Sequence, residues 1–468
     1  MSHVCDNKAP FMVKRDEVLG RCVVATRDIR SGEVIAESLP LIVGPKMASP
    51  PLCLGCHKKL ALAESRYDCS KCFWPLCGQA CESSPLHEAE CEIFAKAGYK
   101  PTVKNDNSKQ TVYCPIAPLR ALLLKKNSPE RFNLLLDFQS HLQDHEKTQV
   151  YQVLKKSLVP FFTQLLKLDT NESEILTICS IFDTNCFEVR DTQRLVNIRG
   201  LYPTISFLSH SCKHNTKHCF NGDNFRLVLT ATTPIKKGDL VTTTYTQTLW
   251  GTLSRRSHLK MAKHFDCLCE RCTDPTEFGT YLSAVNCSVC GDGSKVTSSD
   301  PLNCEADWFC ENCGFAITGS DMLWGNEVLQ KEINHLNKDN PNSLEEFLER
   351  YAEVLHGRNS YCLQVKYALC QIYGSLDGFK FEELSSDLID RKIELCKELL
   401  AVAEVLEPGQ SWFRGLLLYD LFEALVAKAE RRGEDIDEET KNYLTEAAKI
   451  FDSEPDMRDN IQKKLMDS

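Results

Sequence analysis

The chain has 468 residues, is 43% hydrophobic, and sets 55 Lys and Arg against 65 Asp and Glu for a net charge of -10. That length is too great for one ordinary core and predicts about two to four domains. The acidic balance speaks against a nucleic-acid backbone as the main partner. No uncharged apolar run of about 20 residues is present to span a membrane. The N-terminal stretch "MSHVCDNKAPFMVKRDEVLG" lacks the apolar segment of a signal peptide. A soluble protein, cytoplasmic and/or nuclear, is therefore expected. The basic doublets Lys125–Lys126 and Arg255–Arg256 read as solvated faces.

Taken in chain order, the first predicted elements are strands. "LGRCVVATRDIRSGEVIAESLPLIV" alternates apolar residues, turns at Ser31-Gly32 and resumes at Val34 and Ile35, which reads as a β-hairpin. A cysteine cluster follows: Cys53-x-x-Cys56, Cys69-x-x-Cys72, then Cys77, Cys81, His87 and Cys91. Seven thiols and one imidazole within 39 residues can fill two tetrahedral sites, since zinc takes about four such ligands. The chain carries 25 cysteines, a count that would suggest disulfides in an exported protein. Here they come in short-spaced pairs, and zinc is the better reading. So short a segment cannot build its own core, so the metal would supply its folding energy.

Helical patterns come next. "YCPIAPLRALLL" leads to a helix start at Ser128-Pro129-Glu130, and "VYQVLKKSLVPFFTQLLKL" continues the pattern. Then "FLSHSCKHN", Phe207–Asn215, places a histidine beside a cysteine with no near partner. "NFRLVLTATTPIKKGDLVTTTY" repeats the strand, turn, strand design around Lys237-Gly238. "FDCLCERC" offers three thiols, Cys267, Cys269 and Cys272, one short of a tetrahedron, and Cys212, 55 residues before the first of them, is the candidate fourth. Such a ligand would staple "SHSC" to the end of the domain. Cys287-x-x-Cys290 and Cys310-x-x-Cys313 read as a zinc ribbon, with Cys304 a bystander. From Trp324 onward the spacing of apolar residues is helical to the end, with breaks at Gly357 and Pro408-Gly409. No strict repeat of about 34 residues shows, so this part is TPR-like and not a TPR array. Its cysteines Cys362, Cys370 and Cys396 read as core.

The order of these motifs resembles the SMYD family, protein-lysine methyltransferases whose SET fold is split by a MYND zinc finger, and looks most like the arthropod-specific SmydA branch. The matching motifs are Gly20, the finger cysteines, "GLYPTISFLSHSC", "KGDLVTTTY" ending in Tyr245, and "CLCERC", in order over residues 10–275. The resemblance implies an α+β fold: a split β-rich SET core with inserted MYND finger, a helical insert, a post-SET zinc site, a zinc ribbon and a C-terminal all-α TPR-like domain. The corresponding segments are 1–48, 49–92, 93–190, 191–250, 251–275, 276–322 and 323–468, with the SET core supplied by the first and fourth.

By the same resemblance the finger ligands interleave. Cys53, Cys56, Cys77 and Cys81 would hold one ion, and Cys69, Cys72, His87 and Cys91 the other, for about four zinc ions in the chain. S-adenosyl-L-methionine would lie along Gly20, Arg21, Cys22, Asn185, Ser209, His210 and Tyr245, with Tyr245 where cofactor and target lysine meet. Substrates would be histone or non-histone protein lysines. The finger would take proline-containing peptides, with Phe73, Trp74 and Pro75 either on that surface or in a small core. A monomer is expected.

Three positions depart from the family pattern. Ser209 replaces an asparagine whose amide pairs with the adenine. Cys22 replaces a glycine and would crowd the cofactor if its backbone needs a glycine conformation. Counted back without gaps, the family's second active-site tyrosine is Lys263. At about 6 Å and an effective dielectric of about 20, its charge would oppose the sulfonium by about 3 kcal/mol, or about a hundredfold in rate. A second expectation stands beside the enzyme: a MYND and TPR-like adaptor with an impaired SET core.

Overall fold

The computed structural model describes residues 9–60, 66–106, 108–190, 196–222 and 224–467. The start of the expected N-terminal segment, positions 61–65 of the finger and the start of the 191–250 segment lie outside the described residues. Among those described, no helix is long and apolar enough to cross a membrane.

The chain opens with strands β1 (Phe11–Asp16), β2 (Gly20–Ala25), β3 (Val34–Ser38) and β4 (Ile42–Pro45). The finger contributes the short strands β5 (Tyr67–Asp68) and β6 (Pro75–Leu76) and ends in helix α1 (Pro85–Ala97). Helices α2 (Ile116–Asn127), α3 (Pro129–Leu136), α4 (Leu142–His145), α5 (Gln149–Pro160) and α6 (Glu172–Asn185) form the helical insert. Strands β7 (Phe187–Arg190), β8 (Val196–Leu201), β9 (Ser209–His210), β10 (Thr216–Asn221), β11 (Arg226–Ala231) and β12 (Leu240–Thr243) follow. Next come α7 (Thr252–Lys263), α8 (Glu270–Thr273) and the ribbon strands β13 (Val285–Cys287), β14 (Gly291–Ser298), β15 (Trp308–Cys310) and β16 (Ala316–Ile317). The rest is helical, α9 (Gly319–His335) through α15 (Pro455–Asp467), beginning five residues before the predicted Trp324.

Neither strand-turn-strand segment forms a hairpin. β2 pairs with β1 and β12, whereas β3 belongs to a separate three-stranded sheet in the order β10-β11-β3. Likewise β11 and β12 lie in different sheets. The turns at Ser31-Gly32 and Lys237-Gly238 are corners where the chain changes sheet. Apolar alternation cannot distinguish the two, because it reports a half-buried strand and not its partner.

The structure divides into two compact units. The first holds Ala36–Phe207 and His218–Leu229. In it β4-β8-β7 form an antiparallel sheet, with Gly44 of β4 so close to α2 that a Cβ there would sit 2.9 Å from the Ala117 methyl. Arg120 of α2 ties the finger down: its guanidinium donates to both oxygens of Glu90 (2.6 and 2.8 Å), to Val43 O (2.8 Å) and to Leu54 O (3.0 Å). Trp74 is fully buried against Phe94 and Tyr113, with ring centroids 5.6 and 5.3 Å away. Trp74 and Pro75 are thus the finger's small core, the second of the two expected uses. Phe73 is 42% exposed in a left-handed backbone (φ 64°), with the Lys100 ammonium 4.4 Å from its ring centroid.

The second unit holds Pro10–Ile35, Leu208–Lys217 and Thr230–Ser468. Its sheet runs β1-β2-β12-β9, and its main core is a helical cluster from α9 to α15 that includes Cys362, Cys370 and Cys396. Fully burying a leucine or phenylalanine contributes about 1.5–3 kcal/mol, so this cluster is the unit's main stabilising mass. The break between α12 (Ser386–Leu406) and α13 (Trp412–Arg432) rests on Thr232. Gln410 N donates to Thr232 O at 2.8 Å, and a Cβ on Gly409 (φ +74°) would sit 2.2 Å from that oxygen, so glycine is required there.

Candidate functional site

The sheet β1-β2-β12-β9 brings distant sequence positions together. Asp16 caps the β1–β2 turn by accepting from Val18 N and Leu19 N (2.8 and 2.9 Å), and Gly20 leaves the turn at φ +68° with open space around its Cβ position. Arg21 and Cys22 follow on β2, opposite Arg15 and Lys14. Cys22 is buried in ordinary extended backbone, so the feared need for a glycine conformation is absent. β12 pairs antiparallel with β2 on one side and parallel with β9 on the other, setting Thr242 beside Ser209 and Thr243 beside His210. Asn215 locks this arrangement, accepting from Thr242 N (2.8 Å) and donating to Leu240 O (2.8 Å). Its role was not read from the sequence, although it closes the quoted motif.

Ser209 Oγ is buried with no hydrogen-bond partner among the described residues. A buried orphan hydroxyl is costly, and a polar ligand at this place would relieve it. Tyr245 stands two residues beyond β12. Burial pushes its phenol up to about 12, and its hydroxyl donates to Leu208 O at 2.5 Å. His210 packs against the Tyr245 and Phe265 rings, with centroids 5.3 and 6.0 Å away. Both ring nitrogens of His210 are engaged: Nδ1 accepts from Tyr245 N at 3.0 Å, and Nε2 lies 3.2 Å from Cys212 Sγ. The imidazole of His210 therefore has no ring nitrogen left over for a ligand.

Cys212 joins Cys267, Cys269 and Cys272 with all four sulfurs within 4.8 Å of one another. Tetrahedral ligation with zinc–sulfur bonds of about 2.3 Å gives edges of about 3.8 Å, and Cys212 and Cys272 are 3.6 Å apart. Beside them lies a fully buried charge cluster. Arg255 Nε donates to Cys212 Sγ (3.2 Å), and Arg255 Nη1 donates to Glu277 Oε2 and Trp250 O, both at 2.6 Å. Arg271 donates to the same Glu277 oxygen (3.0 Å) and to Thr248 O (2.9 Å). Burial pushes the Glu277 carboxyl up, and the two guanidiniums outweigh it, leaving it below the usual range. Arg255 is thus a correction to the solvated reading of its doublet: it faces thiolates, whose charge no periodicity reveals.

The other three groups also assemble as expected: Cys53, Cys56, Cys77 and Cys81; Cys69, Cys72, His87 and Cys91; and Cys287, Cys290, Cys310 and Cys313. Pairs within them lie at 3.4 Å (Cys56–Cys77), 3.6 Å (Cys69–Cys91, Cys287–Cys313) and 4.0 Å (Cys290–Cys310), all near a zinc tetrahedron's edge. His87 presents Nε2 to Cys72 Sγ at 3.4 Å, and the Glu90 carboxylate lies 3.5 Å from its Nδ1, the usual support of a metal-bound imidazole. Four donor sets fit four zinc ions. Cys304 falls outside them.

Lys263 is the last residue of α7, half-buried, with Nζ 5.5 Å from the Tyr245 ring centroid. His264 then turns the chain in left-handed backbone (φ 61°) and returns Phe265 to His210. Phe265 was missed from the sequence; an aromatic two residues before C-x-C-x-x-C was its signal. Asn185 lies outside this sheet, at the end of α6 in the first unit. Its amide donates to Gln139 O (2.8 Å) and Ile181 O (2.7 Å).

Comparison with known proteins agrees with this geometry. The SET domain profile matches residues 20–246, from the glycine turn to just past Tyr245. The chain is 30% identical over 421 residues to the SET domain-containing protein SmydA-8, isoform A, of Drosophila melanogaster, covering 87% of each. It is 29% identical over 272 residues to the histone-lysine N-methyltransferase ASHR1 of Arabidopsis thaliana (54% of this chain, 53% of that protein). It is 29% identical over 267 residues to the N-lysine methyltransferase SMYD2-B of Danio rerio (54% of this chain, 58% of that protein). With the SET sheet and the four cysteine groups in place, the match over most of its length shows that the chain belongs to the SMYD family of SET-domain proteins, in its SmydA branch.

Proposed function

We propose that this protein is a zinc-containing, S-adenosylmethionine-dependent protein-lysine N-methyltransferase. The observation that carries the reading is one sheet holding the Gly20 turn, the orphan hydroxyl of Ser209 and the buried Tyr245, the whole anchored to a four-thiol metal site. Relatives named as lysine methyltransferases match half of the chain. Gly20, Arg21, Cys22, Ser209 and the His210 backbone would hold the cofactor, which supplies an electrophilic methyl group when bound.

The chain's own part is to bind, orient and dry the target amine. Tyr245 keeps its proton, being raised to about 12 by burial, and its hydroxyl is committed to Leu208 O. It is therefore not a base: its ring is a wall, and its hydroxyl holds the Leu208 carbonyl in place beside it. The target ammonium loses its proton to water, helped by desolvation, which favours the neutral amine. Substrates are protein lysines, histone or non-histone. The finger takes proline-containing peptides against the exposed Phe73. The protein works as a monomer in cytoplasm and/or nucleus without contacting nucleic acid.

One observation favours a second reading, the impaired adaptor: the Lys263 ammonium stands 5.5 Å from the Tyr245 ring. Turnover is expected to be slow. Lys263→Tyr should raise transfer by up to about a hundredfold, the relief of about 3 kcal/mol of repulsion. Tyr245→Phe should abolish transfer while leaving the fold intact. The test is calorimetry with S-adenosylmethionine and a methyl-transfer assay on protein substrates for all three versions. Absence of both binding and transfer in every version would select the adaptor. Brisk native activity that falls in Lys263→Tyr would show the lysine to be adapted to its place.

A further inference from the structure

We propose that His210 is a positioning residue through which the post-SET zinc site holds Tyr245 in place. Its imidazole bridges the two: Nε2 lies 3.2 Å from Cys212 Sγ, and Nδ1 accepts the Tyr245 backbone N–H at 3.0 Å. The bridge fixes the tautomer. A backbone N–H only donates, so Nδ1 carries a lone pair and the ring is neutral. The single ring proton is therefore on Nε2, directed at the sulfur. A zinc-bound thiolate only accepts, so the sulfur and the imidazole match. Arg255 Nε donates to the same sulfur at 3.2 Å from another element and supports its thiolate form.

Loss of the ion would free Cys212 Sγ from its place beside Nε2, so the imidazole would lose one of the two ends that hold it against the Tyr245 amide. The catalytic meaning of this relay rests on the methyltransferase reading; the relay itself does not.

The experiment follows the Tyr245 amide by hydrogen exchange, with zinc counted by native mass spectrometry. His210→Phe keeps a flat ring of similar size and removes both nitrogens. It should raise Tyr245 exchange about tenfold, the factor given by losing one hydrogen bond of ordinary net strength, while all four donor groups keep their ions. His210→Asn, whose Oδ1 can stand near the Nδ1 position, should restore most of the protection. Cys212→Ser should raise exchange as His210→Phe does. Unchanged exchange in His210→Phe with zinc retained, or no recovery in His210→Asn, would overturn the proposal and leave His210 a space-filling residue. The readout needs no methyl donor, so it fails separately from the proposed activity. With an active substrate, His210→Phe should lower kcat and leave KM nearly unchanged, since the substrate touches Tyr245 and not His210; an effect on KM alone would count against the relay.

Discussion

The post-SET and ribbon sites use the same four-cysteine chemistry in opposite surroundings. Four thiolates on one zinc ion carry a net charge of about -2. At the post-SET site Cys212, Cys267 and Cys272 are buried, and two fully buried guanidiniums balanced by Glu277 answer that charge. At the ribbon Cys290 and Cys313 are exposed, and the bonds to sulfur come from backbone amides, Val289 N and Asn312 N, both at 3.4 Å. The second site is open to solvent on the side of Cys290 and Cys313. The first depends on named side chains, so its metal and its charged neighbours stand or fall together.

The comparison breaks first at Glu277. Glu277→Ala leaves Arg255 and Arg271 facing each other in a dry pocket, and removing one partner of such a group costs about 3–5 kcal/mol. Denaturant unfolding should show that loss with one zinc ion released; a loss below about 1 kcal/mol would mean that water reaches the cluster.

The next largest effect is pH-dependent. Glu407, which faces Arg271, is raised to about 7, mainly by burial. The folded state therefore holds its proton more tightly than the unfolded state does. Its contribution is full below the unfolded value and is lost as pH rises through about 7. Glu407→Gln should match the native protein near pH 5 and exceed it near pH 8, by up to about 3 kcal/mol. A constant difference across that range would show that Glu407 is ionised in the fold.

The smallest effect belongs to the ribbon. Cys313→Ser should release one ion and loosen the ribbon locally, while moving the main unfolding transition less than Glu277→Ala does. Timed chelation should strip the ribbon ion before the post-SET ion. The reverse order would remove the distinction between the two sites.

The sixteen metal ligands were legible because metal chemistry fixes both residue type and spacing, and the pairing of Cys212 with a motif 55 residues on followed from a missing fourth ligand. Sheet partners were not legible: β2 and β3 read as a hairpin because alternation says nothing of the neighbour. Arg255 was misread because burial of a cation depends on anions brought from elsewhere, here Cys212 and Glu277. The gap-free count did place Lys263 beside Tyr245. For His210 the motif pointed to the right segment, but its ring has partners that only the fold supplies.

The sheet that holds the site also bears on how the chain reaches its native state. β2 ends at Ala25 and its partner β12 begins at Leu240, with more than two hundred residues between them. Closing so long a loop is slow, and rate falls as contacts grow less local. The finger's eight ligands sit within 39 residues and can close locally as soon as metal is present. Synthesis releases the finger and helical insert well before β12, so strands β1 and β2 must wait, unpaired on one edge, until the second half of the chain emerges. An unpaired edge of "GRCVVA" is an invitation to aggregation, and zinc supply during translation becomes a determinant of yield as much as of activity.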